Sequence, residues 1–241
     1  MQALHGKVAI VTGASGGICG AIAEAFVAAG AKVACVDLAA SSMKDVLNIK
    51  CDVTSESQTR DAVEQAVKTF GGLHVLVNGA AMRDPTATVT DLDLAGWNKV
   101  FAVNVAGAFL MSKWSIPHMV KAGGGSIIHV ASQLGTVGTP GRVAYCATKG
   151  ALLTMSKAMA ADHAAQKIRV NTLSPGAVET DRMLLRYGEM EKARAALGPK
   201  HLLNRLGLPQ EIAAGAVFLA SDAASFMTGS DLRIDGGYNA V

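Results

Sequence analysis

TGASGGICG, Thr12 to Gly20, follows the short apolar run VAIV and opens a stretch that reads as a helix over 18–29, closed by Gly30. Strand, glycine turn, helix is the order in which a chain can offer the N–H groups of a helix N-terminus to a pyrophosphate. Glycine stands at 13, 16, 17 and 20, while Cys19 stands where the usual spacing wants a third glycine. That glycine lets the helix come close to the strand, so Cys19 adds a Cβ and a sulfur where room is short. Two readings of it stand. Slack in the surrounding glycines can absorb a small soft side chain; or a thiol of lowered pKa at a helix N-terminus senses oxidation and blocks the nucleotide. The neighbouring glycines favour the first.

On the far side of the turn, short β-rich runs alternate with longer helical patterns to the end of the chain. The runs lie at 7–11, 32–36, 47–51, 73–77, 126–131, 168–173 and 231–234, and most are continuously apolar, as strands buried on both faces are. Helices are expected at 54–70 (N-cap Thr54, stop at Gly71-Gly72), 94–120, 143–165 and 212–220. This alternation predicts an α/β fold: a doubly wound parallel sheet of about seven strands, a Rossmann fold, in a single domain over 1–241. The crossover at 38–46 is too short for more than a turn of helix. Residues 177–208 lack a strand and read as two helices with a Gly-Pro break, a candidate substrate lid.

Half of the 241 residues are apolar and the net charge is only +3. No Lys/Arg run is present, so a nucleic-acid partner is not expected. The opening MQALHGKVAIVTG does not read as a signal peptide, and no stretch approaches the roughly 18 continuous apolar residues of a membrane span. A soluble, cytoplasmic protein with no membrane partner is expected. The four cysteines form no CxxC pair and the six histidines no metal spacing, so neither disulfide nor metal is expected. His129 interrupts the strand SIIHVAS and reads as a structural histidine with its hydrogen bonds satisfied.

Chemistry concentrates at a few positions. Asp37 ends the strand VACVDL about twenty residues beyond the turn, where a carboxylate can hold the adenosine ribose hydroxyls and repel a 2′-phosphate. The expected cofactor is therefore NAD. In YCATK, Tyr145 and Lys149 lie four apart on one helix face. Ser132 ends the strand in HVASQLG, and Asn104 lies in the helical FAVNVAG.

With these residues the chain resembles the short-chain dehydrogenase/reductase family over essentially its whole length. TGASGGI, the Asp37 strand end, CDV at 51–53, LVNGAA at 76–81, NVAG at 104–107, Ser132, YCATK, RVNTLSPGAVET at 169–180 and IDGG at 234–237 fall in family order. The resemblance implies that Tyr145 is the general acid/base, its phenol acidified by Lys149, which also bonds the nicotinamide ribose. It implies that Ser132 hydrogen-bonds the substrate oxygen and that Asn104 holds a water of a proton relay. For the cofactor it implies Gly13, Ser15, Gly17 and Ile18 in the turn, with Asp52 and Val53 at the adenine. Asn78, Gly79 and Ala80 follow the fourth strand; Pro175, Gly176, Val178 and Thr180 lie at the nicotinamide. One departure is that the family's Asn-Asn-Ala-Gly is here Asn78-Gly79-Ala80-Ala81.

The implied activity is NAD-dependent interconversion of a secondary alcohol and a ketone, on a small hydroxylated molecule such as a sugar, polyol or hydroxy acid. The family also implies a homotetramer built on the two long helices. An NADP-dependent 3-oxoacyl thioester reductase and a non-catalytic nucleotide sensor are the rivals; Asp37 weighs against the first and the intact catalytic set against the second. Candidate substrate residues are Arg83, Gln133, Arg142 and Tyr187. Arg142, three residues before Tyr145, could grip a substrate carboxylate.

Overall fold

The computed structural model describes residues 2–82 and 84–240; Arg83 lies outside the described residues. Seven strands pair in parallel in the order β3-β2-β1-β4-β5-β6-β7. They are β1 (Val8–Thr12), β2 (Lys32–Asp37), β3 (Leu47–Lys50), β4 (Val75–Asn78), β5 (Gly125–Val130), β6 (Ile168–Pro175) and β7 (Asp231–Ile234). The order reverses between β1 and β4, which pair in the register Ala9↔Val75 to Val11↔Val77. At such a reversal the crossovers leave in opposite directions and open a crevice above the carboxyl ends of the strands.

Helices cover both faces. On one, α1 (Gly17–Ala28) and α8 (Pro209–Ala220) bury Ile22, Phe26, Ile212 and Leu219 against the sheet. On the other, α2 (Glu56–Phe70), α4 (Gly107–Lys121) and α5 (Val143–His163) bury Val63, Met111, Met119 and Ala160. Strands between two such layers have no polar face, which is why they read as unbroken apolar runs.

Some expected boundaries moved for local reasons. Thr54 does not cap α2: its N–H and hydroxyl donate to Asp52 Oδ1 at 2.9 and 2.7 Å. Ser55 is the cap instead, accepting from Gln58 N at 3.4 Å, and Gly71 closes the helix at φ 86°. The crossover 38–46 holds no helix, and Ser41 N donates to Asn48 Oδ1 at 2.8 Å across it. The expected single helix 94–120 is interrupted: α3 (Leu94–Phe101) passes through a π-turn (Ala102–Ala106) into α4. Single π-turns of this kind accompany functional positions, and Asn104 lies in this one. Taken together, 94–121 is the one helical stretch among the described residues long and apolar enough to cross a membrane by length and composition. Here it is interrupted by the π-turn, buries Val100, and is seated on the sheet through Met111 and Met119.

The candidate lid region carries two helices, α6 (Asp181–Tyr187) and α7 (Met190–Leu197), but the break between them falls at Gly188, with φ 77°, and the Gly198-Pro199 pair instead opens a 3-10 turn (Gly198–Lys200) after both. It has a small core of its own, Ala177, Ala193 and Leu206 with Met183, Tyr187, Met190 and Leu197. His201 ties that core to the end of β6: Nδ1 donates to Leu197 O at 2.8 Å and Nε2 accepts from Ala177 N at 3.2 Å.

Candidate active site

A cleft of about 970 Å³ runs above the carboxyl ends of the strands, from Asp37 at one end to Ser132 and Tyr145 at the other. Its size falls at the top of the range of about 300–1,000 Å³ typical of small-molecule and cofactor sites. Among the described residues no three His, Cys, Asp or Glu side chains are placed to hold a metal ion.

At the Asp37 end the carboxylate accepts from Ser15 N at 3.0 Å and from Leu38 N at 2.7 Å. It therefore braces the glycine turn from across β1 and β2. Asp52 and Val53 form the adjoining wall, with Val53 held beneath Gly107, where an added Cβ would come within 2.7 Å of it. Gly13 has φ +74°, and a Cβ there would stand 2.9 Å from Ala80 N. Only glycine serves at that position. Gly17 opens α1 at φ +59° and faces the Thr180 side chain, with Ser15 and Ile18 also in the cleft wall.

Cys19 and Gly79, two separate departures from the family pattern, meet each other. A Cβ built at Gly79 would collide with Cys19 Sγ. The side chain added to the turn fills the space that the missing side chain after β4 vacates, so the close approach of β1, α1 and β4 survives. Thr12 laces the same junction, its hydroxyl accepting from Gly79 N at 3.0 Å and from Ala80 N at 3.1 Å. Burial pushes the Cys19 thiol up to about 11, against smaller opposing effects of Lys149 and Arg182. That is the reverse of the low-pKa thiolate required by the oxidation-sensing reading.

Asn78 stands behind the wall rather than in it. Its Nδ2 donates to Ser112 Oγ at 3.1 Å and His129 Nδ1 at 3.2 Å, joining β4, β5 and α4. Burial, with a smaller push from Lys149, lowers His129 to about 3, so the ring is neutral. Its hydrogen bonds are only half satisfied: Nε2 has no partner among the described residues.

At the other end Ser132 Oγ accepts from Leu134 N at 3.1 Å, which leaves its hydroxyl hydrogen free to donate toward the cleft. Tyr145 lies in the first turn of α5, and burial raises its phenol above the ordinary value. The opposing pulls come from Arg182, the Ser132 hydroxyl and Arg142. Lys149 lies 5.5 Å from the Tyr145 ring centroid and donates to Val130 O at 2.6 Å. Burial and then Arg182 lower its ammonium to about 8. Arg182 and Arg142 are thus cations that oppose the effect of burial on the phenol, with Lys149 also facing the ring. Asn104 Oδ1 accepts from Met82 N at 2.9 Å and Nδ2 donates to Thr148 Oγ1 at 3.2 Å, so the π-turn is fastened to the loop after β4 and to α5. Pro175, Gly176, Val178 and Thr180 form the wall on the lid side.

The candidate substrate residues fare differently. Arg142 Nε donates to Asp84 Oδ1 at 2.6 Å, the side chains being 11% and 1% exposed. Its charge is already balanced by the buried Asp84 carboxylate, and it is not among the residues that line the cleft. Gln133 is buried behind the wall, its Oε1 without a partner among the described residues. Tyr187 packs in the lid's own core under Arg186, outside the cleft wall. Arg182 was not foreseen. Its Nη2 donates to Ala81 O at 2.8 Å, so this cation reaches from the lid across to the loop after β4. The signal was its place two residues beyond Thr180, where a helix starting at the cleft wall must turn a side chain inward.

The cleft fits a dinucleotide on three structural grounds: a glycine turn closed off against Ala80 at Gly13, a carboxylate at one end, and a Ser/Tyr/Lys set at the other. Residues 13–239 match the model of a family described as enoyl-(acyl carrier protein) reductase. The chain is 40% identical over 247 residues to 2,5-dichloro-2,5-cyclohexadiene-1,4-diol dehydrogenase LinX of Sphingobium indicum, covering 98% of this chain and 97% of that one. It is also 40% identical to D-threitol dehydrogenase of Mycolicibacterium smegmatis, covering 98% and 94%. Among solved structures, the aldohexose dehydrogenase AldT of Thermoplasma acidophilum superposes with a TM-score of 0.94 at 34% identity, covering 99% of this chain and 96% of that one. Fold, cleft and full-length similarity agree: this chain belongs to the short-chain dehydrogenase/reductase family.

Proposed function

We propose that this protein is an NAD-dependent dehydrogenase of a small hydroxylated secondary alcohol, a polyol, sugar or cyclic diol, working in the cytoplasm as a homotetramer. Secondary alcohol oxidoreduction with a nicotinamide cofactor comes with the family and its named dehydrogenases. The choice of NAD rests on one observation: the Asp37 carboxylate sits in the cleft, bonded to the turn through Ser15 N. A 2′-phosphate there would meet a fixed negative charge. Comparing kcat/KM with NAD and NADP on a panel of polyols, aldoses and cyclic diols tests this. NAD should win by about 10- to 1,000-fold, the worth of one or two charge-assisted hydrogen bonds plus like-charge repulsion; equal values overturn it. No turnover of any neutral polyol, sugar or diol would overturn the substrate class.

When bound, the nicotinamide accepts or supplies the hydride. The chain's own residues manage the oxygen and its proton. Ser132 donates its free hydroxyl hydrogen to the substrate oxygen, where negative charge builds as the alcohol proton leaves or, in the reverse direction, as hydride reaches the carbonyl carbon. Tyr145, as phenolate, takes the alcohol proton and returns it in the reverse direction. Lys149, with its ammonium lowered to about 8, can exchange protons near neutral pH. Because the Asn104 side chain is committed to Met82 and Thr148, a relay water would rest on backbone carbonyls of the π-turn.

The tetramer is supported by apolar side chains left exposed on the α3–α4 stretch, Leu94 at 72% and Phe109 at 51%. Patches of this kind mark contact surfaces.

A further inference from the structure

Asp84 is a carboxylate with 1% of its side chain exposed, on the loop after β4. An ionised carboxylate at that depth persists only if it is paired and hydrogen-bonded. Its two oxygens have different partners. Oδ1 accepts from Arg142 Nε at 2.6 Å, and Oδ2 accepts from the backbone N–H of Tyr145 at 3.1 Å. That N–H belongs to the first turn of α5, whose donors have no partner within the helix. The cap residue Arg142 supplies no side-chain cap, and α5 has no acidic residue in its first turn. Asp84 therefore caps α5 from another element, placing negative charge at the positive end of the helix. The backbones are joined as well, Ala87 N donating to Gly141 O at 3.2 Å. The Arg142 guanidinium then lies over the Tyr145 ring, 4.7 Å from its centroid.

We infer that the buried Asp84–Arg142 pair is a positioning clamp for Tyr145, its carboxylate fixing the residue through the backbone N–H and its guanidinium lying over the ring. This rests on the reading of Tyr145 as the acid/base. The groups facing the phenol are Arg182 from α6, Ser132 after β5, Lys149 one turn further along α5, and the clamp itself. Within the clamp the two charges act oppositely: Arg142 lowers the phenol pKa and Asp84 raises it.

Opposite signs give the test. Arg142→Met leaves the carboxylate unopposed and should move the limb of the kcat/KM–pH profile that reports the phenol upward by about one to two units, the scale of one charge near 5 Å at an effective dielectric constant in the tens. At neutral pH alcohol oxidation falls at least tenfold and recovers as pH is raised. Arg142→Lys should restore part of the shift. Asp84→Asn keeps an acceptor for Tyr145 N–H but removes the charge, and should move the same limb downward. A merely structural role would weaken both variants without opposite shifts. Tyrosinate difference absorbance, read against Tyr145→Phe, follows the phenol independently of turnover.

Shifts in opposite directions uphold the clamp; unmoved limbs, or limbs moving the same way, overturn it. If Arg142→Met does not fold, Asp84→Asn decides: a downward shift upholds the inference and no shift overturns it. Near-normal turnover in Tyr145→Phe would instead overturn the acid/base reading, and the tyrosinate titration would still report on the clamp.

Discussion

Cys19 adds a side chain to the turn and Gly79 removes one after β4, and the two changes fit because they share one space. Gly79→Ala should place a methyl group against Cys19 Sγ and the Thr12 carbonyl. Overpacking of that kind in a closed site costs about 1–3 kcal/mol. In Cys19→Gly the sulfur is gone, so Gly79→Ala should be far less costly, and the double variant should recover most of the stability and cofactor affinity. Denaturant unfolding and cofactor titration of the four proteins give the cycle; additive losses would show that the two residues do not share the space. His129 is a second residue-scale liability. Its folded pKa, about 3, lies below the ordinary 6.5, so the unfolded chain takes up a proton that the folded ring refuses. The associated stability is complete above the ordinary value and is lost as pH falls from there toward 3. His129→Asn should flatten that acid dependence in unfolding measured between about pH 7 and pH 5, even if it is less stable at neutrality.

At the scale of elements, the lid depends on one ring. His201 serves Leu197 O through Nδ1 and Ala177 N through Nε2 together. It also packs against Tyr238 near the C-terminus, 5.2 Å between ring centroids. His201→Ala should loosen α6 and α7 while leaving the sheet intact, since the lid has its own core. Limited proteolysis should cut faster within 181–200 and KM for the alcohol should rise several-fold. A proteolysis rate unchanged in His201→Ala would show that the lid core holds without it. The break in the long helix is an element-scale matter too. Its sequence reads as continuous helix because a π-turn needs no proline or glycine, only a tertiary contact that holds one residue out of phase. Asn104 supplies that contact by bonding both the loop after β4 and α5.

For the whole molecule, the proposed assembly places the exposed apolar side of α3 and α4 between subunits. Phe109→Asp and Leu94→Asp, alone or together, should then shift the protein to smaller species in sedimentation or light scattering at unchanged helix content. A protein that stays the same size in both variants would move the contact to another face, such as that around Phe226, which is fully exposed. The cleft itself is a whole-molecule feature. It is assembled from the ends of β1, β2, β4, β5 and β6 together with the lid, and no single segment contains it.

The order of strands and helices, the parallel sheet and the residues at the strand ends were legible in the chain because each rests on local physics. Buried strands must be apolar throughout, a turn with positive φ requires glycine, and two residues four apart share a helix face. Asp37, Ser132, Tyr145 and Lys149 were found that way, and all four line one cleft. Pairings between distant segments carry no such local mark. Nothing at Cys19 announces Gly79, and nothing at Arg142 announces Asp84, a residue 58 positions away that takes the guanidinium for itself. Arg142 looked free because its partner is chosen by the fold. In a buried site, what a charge can do depends on which other charge is buried with it, and that is set only when the chain closes on itself.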